Sequence, residues 1–513
     1  MNYADLFRVT LPETMLEIAA LLVLFVDLGF LRKASLNLRV SVAVLLGLLG
    51  CVAALATIPY RAQAGLTFPG TGELLLSAGG SAAIAQIGIL ALTVLTLCLL
   101  IGSTFTRNAG EFVAVTLMSA TGGLLISAAQ DLLVIFIGLE LLSLGLYILT
   151  AFAKKSGKSA EASMKYYLFG GMSAAFLLFG FSYLYGVTGS TNLHRIMQAT
   201  YSSNAINATP LLSLALVMIA AGLGFKVAVV PFHLWAPDTY EGAPAPAAAF
   251  IASVSKVASF ALLISIATAS VHVFGDMHSV RLVLTTVKPL PKLLGFAAPW
   301  SIALTTLAIA SMVLGNLAAL AQSSVRRLLA YSAIAHAGYI LLALAFYSRT
   351  ATSANAVLYY ILTYGLTTVG AFGVVAVVER AAGSDQMDAF IGLHRRSPVL
   401  AGVLLILFLS LAGIPPLVGF WAKFNLFAAV LGVSSGVLPF ALVALAVGMS
   451  AVSLYYYLQV LKRAFVVPAL DDSRLVVPPV TLLVLILVAA LVVLFGCFPA
   501  LLQDWMARFY VGM

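Results

Sequence analysis

The 513-residue sequence predicts an all-α polytopic membrane protein of about fourteen transmembrane helices, built on two inverted five-helix repeats that each contain a broken helix. Three observations lead there. The chain is 62% hydrophobic and only 9% charged, whereas soluble domains carry roughly 25% charged residues. Apolar runs long enough to cross a bilayer, about 20 residues each, recur from end to end. Two of these runs are interrupted by prolines and carry a lysine beside the interruption.

The runs fall at residues 10–31, 40–58, 81–104, 112–129, 131–153, 163–187, 210–231, 245–270, 300–320, 325–347, 354–379, 398–431, 437–466 and 475–498. The first lacks a basic leader and a small-residue cleavage site, so it is expected to be a retained span. The lysines and arginines set the orientation. With the N-terminus outside, sixteen of them (among them Arg32, Lys33, Lys154, Lys155, Lys158, Lys165, Arg326, Arg327, Arg395 and Arg396) fall in inside loops and eight in outside segments. An even number of spans then puts both termini outside. The net charge of +9 is spread over these short loops, which points to topology and to contact with the lipid bilayer, and away from nucleic acid.

The first interruption is Lys226-Val-Ala-Val-Val-Pro231-Phe-His-Leu-Trp-Ala-Pro237, with Pro244 and Pro246 following. A proline inside a helix removes one backbone hydrogen bond and clashes with the preceding turn. Lipid cannot satisfy the freed carbonyls, so the break must be enclosed in protein or line a hydrated cavity. The second is Gly413-Ile-Pro415-Pro416-Leu-Val-Gly-Phe-Trp-Ala-Lys423, where the lysine follows the break instead of preceding it. The two lie five spans apart and so run in opposite directions, the pattern of an inverted repeat. The domains expected are residues 1–110 (spans 1–3), 111–270 (first repeat), 271–299 (outside loop), 300–466 (second repeat) and 467–513 (last span).

Four charges sit at membrane depth: Glu140, Lys226, Lys256 and Lys423. Each costs a few kcal/mol at the bilayer centre. One carboxylate cannot neutralise three ammoniums, which favours a proton relay over a purely structural ion pair. Lysine can load and release a proton, and arginine cannot. His336 fits either a proton carrier between the halves or a hydrogen-bonding group at a helix contact. His233 fits a structural role at the break, Asp27 an interfacial anchor beside Arg32 and Lys33, and Tyr359, Tyr360 and Tyr364 either channel or packing. Cys51, Cys98 and Cys497 lie far apart, so no metal site or disulfide framework is expected. Dinucleotide, P-loop and HExxH patterns are absent from the sequence.

The stretch Lys226 to Pro244, Glu140 within Gly-Leu-Glu-Leu, Lys256, Arg326-Arg-Leu-Leu-Ala-Tyr-Ser-Ala-Ile-Ala-His336, and Gly413-Ile-Pro-Pro to Lys423 resemble the antiporter-like membrane subunits of respiratory complex I. The Asp238-Thr-Tyr-Glu-Gly form is most similar to the N-type branch of that family. The resemblance implies a channel in which Glu140 pairs with Lys226, Lys256 connects inward and Lys423 leads to the other half. It also implies a bacterial inner-membrane protein with other membrane and peripheral subunits as partners. No cofactor is expected in this chain; flavin, iron–sulfur clusters and quinone would belong to the partner subunits. Two further readings stay open: a subunit of a cation/proton antiporter, and a transporter for a small anion.

Overall fold

The computed structural model describes residues 7–61, 65–67, 74–103, 105–200, 209–281, 297–347, 351–433, 436–468 and 474–511. Helices dominate these residues. The N-terminal part is α1 (Leu11–Gly29), α2 (Leu36–Arg61), α3 (Gly80–Leu99), α4 (Ala109–Ala128), α5 (Leu132–Thr150), α6 (Gly157–Thr188) and the short α7 (Leu193–Thr200). The middle is α8 (Thr209–Val227), α9 (Trp235–Gly242), α10 (Ala245–Arg281), α11 (Ala297–Leu320), α12 (Val325–Ala345) and α13 (Ala351–Ala382). The chain closes with α14 (Pro398–Ala412), α15 (Val418–Val433), α16 (Val437–Phe465), α17 (Pro479–Cys497) and α18 (Pro499–Val511).

Every predicted span matches a helix or a pair of half-helices. Two features differ from expectation. A short antiparallel hairpin, β1 (Gly65–Thr67) paired with β2 (Leu74–Ser77), interrupts the all-α pattern between α2 and α3. The segment expected as an outside loop from residue 271 continues instead as helix to Arg281, and residues 282–296, with Lys288 and Lys292, lie outside the described residues.

Burial separates the helices. Nearly all of α10 to residue 270 and most of α12 and α13 are enclosed by other helices. A helix that is apolar all round belongs in such a position. The outer helices α2, α6 and α16 instead present wide apolar faces. The site therefore lies on and around three axial helices.

Both interruptions end the same way. Helix α8 stops at Val227 with Ala228 left-handed (φ 57°), Val229 N–H donating to Gly224 O (2.9 Å) and Ala228 N–H to Phe225 O (3.0 Å). Helix α14 stops at Ala412 with Gly413 left-handed (φ 89°), Ile414 N–H donating to Leu409 O (3.0 Å) and Gly413 N–H to Ser410 O (2.9 Å). This double bond is the Schellman termination, which usually takes glycine because a side chain clashes in the left-handed region. Gly413 meets that demand, and a Cβ there would also sit 3.0 Å from Lys423 Cδ. Ala228 meets it only under local strain, of the kind that recurs at functional sites and costs on the order of 1 kcal/mol. The Val230–Pro231 and Pro415–Pro416 peptides that follow are both cis.

Candidate functional site

The two terminated half-helices expose main-chain carbonyls that have no partner inside the helix. The C-terminal end of a helix also carries about half a negative charge. Lysines occupy both ends. Lys256, from α10, donates its Nζ to Val227 O, the last carbonyl of α8. Lys423, from α15, donates to Leu411 O (3.0 Å) and Ala412 O (2.9 Å), the last carbonyls of α14, and to Ser450 Oγ of α16 (2.8 Å). Three acceptors match the three N–H groups of an ammonium. Among the described residues no carboxylate acts on either lysine. Oriented carbonyls stand in for a counter-ion.

Lys226 is held differently. It lies on the last turn of α8 and donates to Ser143 Oγ (2.6 Å), with Glu140 Oε1 at 3.7 Å. Ser143 and Glu140 share one face of α5 at a spacing of three residues. A unit-charge pair at this separation is worth roughly 4 kcal/mol at an effective dielectric of about 20. The Glu140 side chain is 26% exposed on this chain. Around it the outward stripe of α5 is apolar: Leu133, Ile137, Leu144 and Ile148 are all exposed.

His336, on α12, stands between the two half-helix sites. Its Nδ1 bonds Tyr360 Oη (2.7 Å), and the Tyr364 ring lies 4.8 Å from it, centroid to centroid. Both Lys256 and Lys423 are near enough to act on it electrostatically. In order, Glu140 pairs with Lys226, Lys256 meets the carbonyl of the next residue, Val227, and His336 stands within electrostatic range of Lys256 and Lys423, a succession by neighbourhood. Glu140 reaches Lys226 and is not brought to the other two lysines. Of the tyrosines, Tyr360 and Tyr364 contact His336, while the Tyr359 hydroxyl donates to Phe495 O (3.3 Å).

Pro231 lies where α8 is broken, and the preceding Val230 N–H is satisfied across the protein by Ser311 Oγ of α11 (3.0 Å). Trp235 Nε1 donates back to Phe225 O (3.0 Å), so Trp235 and Lys256 serve the carbonyls of this break. Pro415 and Pro416 separate α14 from α15, and Trp421 Nε1 pins that turn to Gly496 O of α17 (2.8 Å).

Two groups escaped the sequence reading. The first is a polar cluster beside Lys423: Asn316 Nδ2 donates to Tyr339 Oη (3.1 Å), Tyr456 Oη donates to Asn316 Oδ1 (3.1 Å), and Ser332 bonds Tyr457. Lys423 Nζ lies 5.6 Å from the Tyr339 ring centre, a cation–π contact. An asparagine in an apolar span was the available signal.

The second group is ionic. Lys158, Lys165, Arg326 and Arg327, read from sequence as topology signals, also clamp the broken helix α9. Lys165 pairs with Asp238 (2.7 Å), Lys158 with Glu241 (2.9 Å), and Arg327 with both Asp238 (2.7 Å) and Glu241 (3.1 Å). Arg326 pairs with Glu379 (2.6 Å) and donates to Glu241 O (2.9 Å) and Ala243 O (2.7 Å) at the end of α9. Burial alone would raise the Asp238 and Glu241 carboxyls, but their lysine and arginine partners hold both below the ordinary carboxylate range. Asp27 likewise has a different partner from the one expected. It is buried and doubly bonded to Arg39 (2.7 and 2.6 Å), while Arg32 and Lys33 are exposed.

The family model described as "NADH:quinone oxidoreductase/Mrp antiporter, TM" matches residues 129–290 and again 280–450. The chain is 45% identical, over 99% of both chains, to NADH-quinone oxidoreductase subunit N 2 of Acidobacterium capsulatum. It is 42% identical to subunit N 1 of Roseiflexus castenholzii, over 82% of this chain and 77% of that one. Among solved structures it resembles a chain of respiratory complex I from Thermus thermophilus with bound aureothin, with TM-score 0.75 and 30% identity over 96% of this chain and 98% of that one. A chain of the Mrp complex from Dietzia shares the fold, with TM-score 0.77 at 20% identity over 97% of this chain and 96% of that one.

Proposed function

Since the chain belongs to the NADH:quinone oxidoreductase/Mrp antiporter membrane-subunit family, we propose that it is the N-type proton-translocating subunit of a bacterial NADH:quinone oxidoreductase. The observation that carries the reading is the placement of Glu140 beside Lys226 and of Lys256 and Lys423 on the two half-helix ends, with His336 within electrostatic range of both. Quinone reduction takes place in other subunits, which hold the flavin, the iron–sulfur clusters and the quinone. This chain moves protons.

The physics sets the role of each residue. Glu140 stabilises the protonated form of Lys226, and parting the pair withdraws roughly 4 kcal/mol of that support. Moving one proton against 150–200 mV requires roughly 3.5–4.6 kcal/mol, so one such pair is the right size of switch. Lys256 and Lys423 take up and pass on the proton at the half-helix ends, where backbone dipoles hold the charge without an acid. His336 bridges them. Residues 111–270 and 300–466 act as inverted repeats, a reading supported by the two Schellman-terminated half-helices that each offer carbonyls to a lysine. The partly exposed Glu140, set in an apolar stripe, faces a neighbouring membrane subunit.

Purification from the native membrane tests the assignment. A flavin- and iron–sulfur-containing assembly should co-purify with the chain. Recovery with hydrophobic partners alone, and cation-linked transport in vesicles, would favour the antiporter reading.

Orientation follows from the charge bias: both termini outside, in the bacterial inner membrane. Cysteines placed at Ser156 and Ser384 should react with impermeant thiol reagents only from the cytoplasmic face. Labelling of both from outside sealed cells reverses the assignment.

A further inference from the structure

A cavity of about 560 Å³ opens at the seam between the two halves, with Lys158, Glu241, Gly242, Arg326, Glu379 and Asp385 in its wall. Arg326 ties that wall together, since one guanidinium holds the Glu379 carboxylate and the carbonyls of Glu241 and Ala243. The succession described above does not use this cavity.

Inward of Glu241 lies Tyr240, which is fully buried, its ring edge-on to Phe372 of α13 at 5.7 Å. Among the described residues, the Tyr240 hydroxyl, the Thr239 hydroxyl and Arg326 Nε are buried without a hydrogen-bond partner, and so is His336 Nε2. Natural proteins rarely leave buried polar atoms unpaired, because each forfeits its bonds to water. Tyr147, His233, Asn355 and Arg396 each hold another such atom, and of the eight, those of Thr239, Tyr240 and Arg326 belong to the cavity wall or lie within two residues of it in the chain. Tyr364 is near enough to Tyr240 to act on it electrostatically, and its ring packs 4.8 Å from His336. Tyr240 precedes Glu241 of the cavity wall in the chain, Tyr364 is its neighbour towards His336, and Nε2 is the His336 nitrogen not bonded to Tyr360.

We propose that this cavity is a separate proton-loading mouth, in which Glu379 exchanges protons with bulk water and Tyr240 passes them inward to His336. The Glu379 carboxylate takes a proton from water as its bond to Arg326 opens. The Tyr240 hydroxyl then accepts a proton on its free lone pair and releases its own inward. His336 Nε2 receives it, and the imidazolium hands it to whichever neighbouring lysine is neutral. No electron moves, and each donor recovers its proton from the side of the cavity. Glu379 is faced by Arg326 of α12, Lys158 of α6 and Glu241 of α9, with Arg380 and Asp385 from its own stretch.

The proposal rests on the proton-transporting reading above, and the experiment separates the two. Tyr240→Phe, Glu379→Gln and Glu379→Asp are made in the whole complex, with Lys423→Arg as reference. NADH-driven proton uptake and quinone reduction are measured in sealed inverted vesicles across pH 5.5–8.5. Tyr240→Phe keeps the ring against Phe372 and should cut uptake about 100-fold, the smaller end of what a positioned proton-transfer group contributes. Glu379→Gln should flatten the dependence of uptake on bulk pH, and Glu379→Asp should restore it. If Glu379→Gln does not assemble, Tyr240→Phe decides alone, since it leaves the Arg326–Glu379 pair intact. Wild-type uptake and pH profile in Tyr240→Phe, with uptake blocked in Lys423→Arg, overturn this mouth only. Full uptake in Lys423→Arg as well overturns the transport reading itself.

Discussion

Lys423→Arg is expected to assemble normally and to lose proton transport by about 100-fold or more. Arginine releases its proton roughly two to three pKa units less readily than lysine, and each unit is a factor of ten in the population able to pass the proton on. Geometry works in the same direction. Leu411 O, Ala412 O and Ser450 Oγ accept from Nζ at 3.0, 2.9 and 2.8 Å, three acceptors for the three N–H groups of an ammonium. A planar guanidinium offers its donors in a fork and cannot meet all three. The charge on the half-helix end is nevertheless kept, so stability should change little. Proton uptake and quinone reduction in vesicles, compared at equal assembled complex, give the readout. Full pumping in this variant would mean that Lys423 only caps the carbonyls.

The second large effect divides switch from strut at Glu140 and Lys226. Removing either residue alone strands the other's charge beside an apolar face, which should destabilise the protein by roughly 3–5 kcal/mol. With Glu140→Gln, the ammonium of Lys226 keeps only Ser143 Oγ at 2.6 Å of the two contacts described. With Lys226→Met, the carboxylate loses its cation. The double variant Glu140→Gln with Lys226→Met strands no charge, so thermal stability and assembly should recover to near wild type. Pumping should not recover. If the pair were only structural, stability and pumping would return together, and that result would sink the switch.

Much of this arrangement is legible in the sequence. Pro231, Pro415 and Pro416 act on their own backbone within one turn, so their effect on helix continuity is local. Length and apolarity of a span are local too, which is why the fourteen expected segments reappear. The buried charges announced themselves by cost: a lysine in the middle of an apolar run needs a reason wherever it points. Less visible were the groups whose meaning depends on a distant partner. Arg326 and Arg327 read as loop charges, yet they close on Glu379, Asp238 and Glu241 across more than fifty residues of sequence. Asp27 was assigned the nearest basic residues, but the bend between α1 and α2 delivers Arg39 instead.

By itself the sequence determined that this protein crosses a membrane many times, that two helices break, and that one acid and three lysines sit within its spans. Those properties follow from hydropathy and from single-residue backbone chemistry. Only the tertiary structure decided what stabilises each lysine. Glu140 serves Lys226, whereas Lys256 and Lys423 rest on the carbonyl ends of half-helices α8 and α14. Main-chain carbonyls are the same in every residue and leave no mark in a sequence. Which of them lose their helical partner, and which ammonium they then face, is fixed when α10 packs on the end of α8 and α15 folds back on the end of α14.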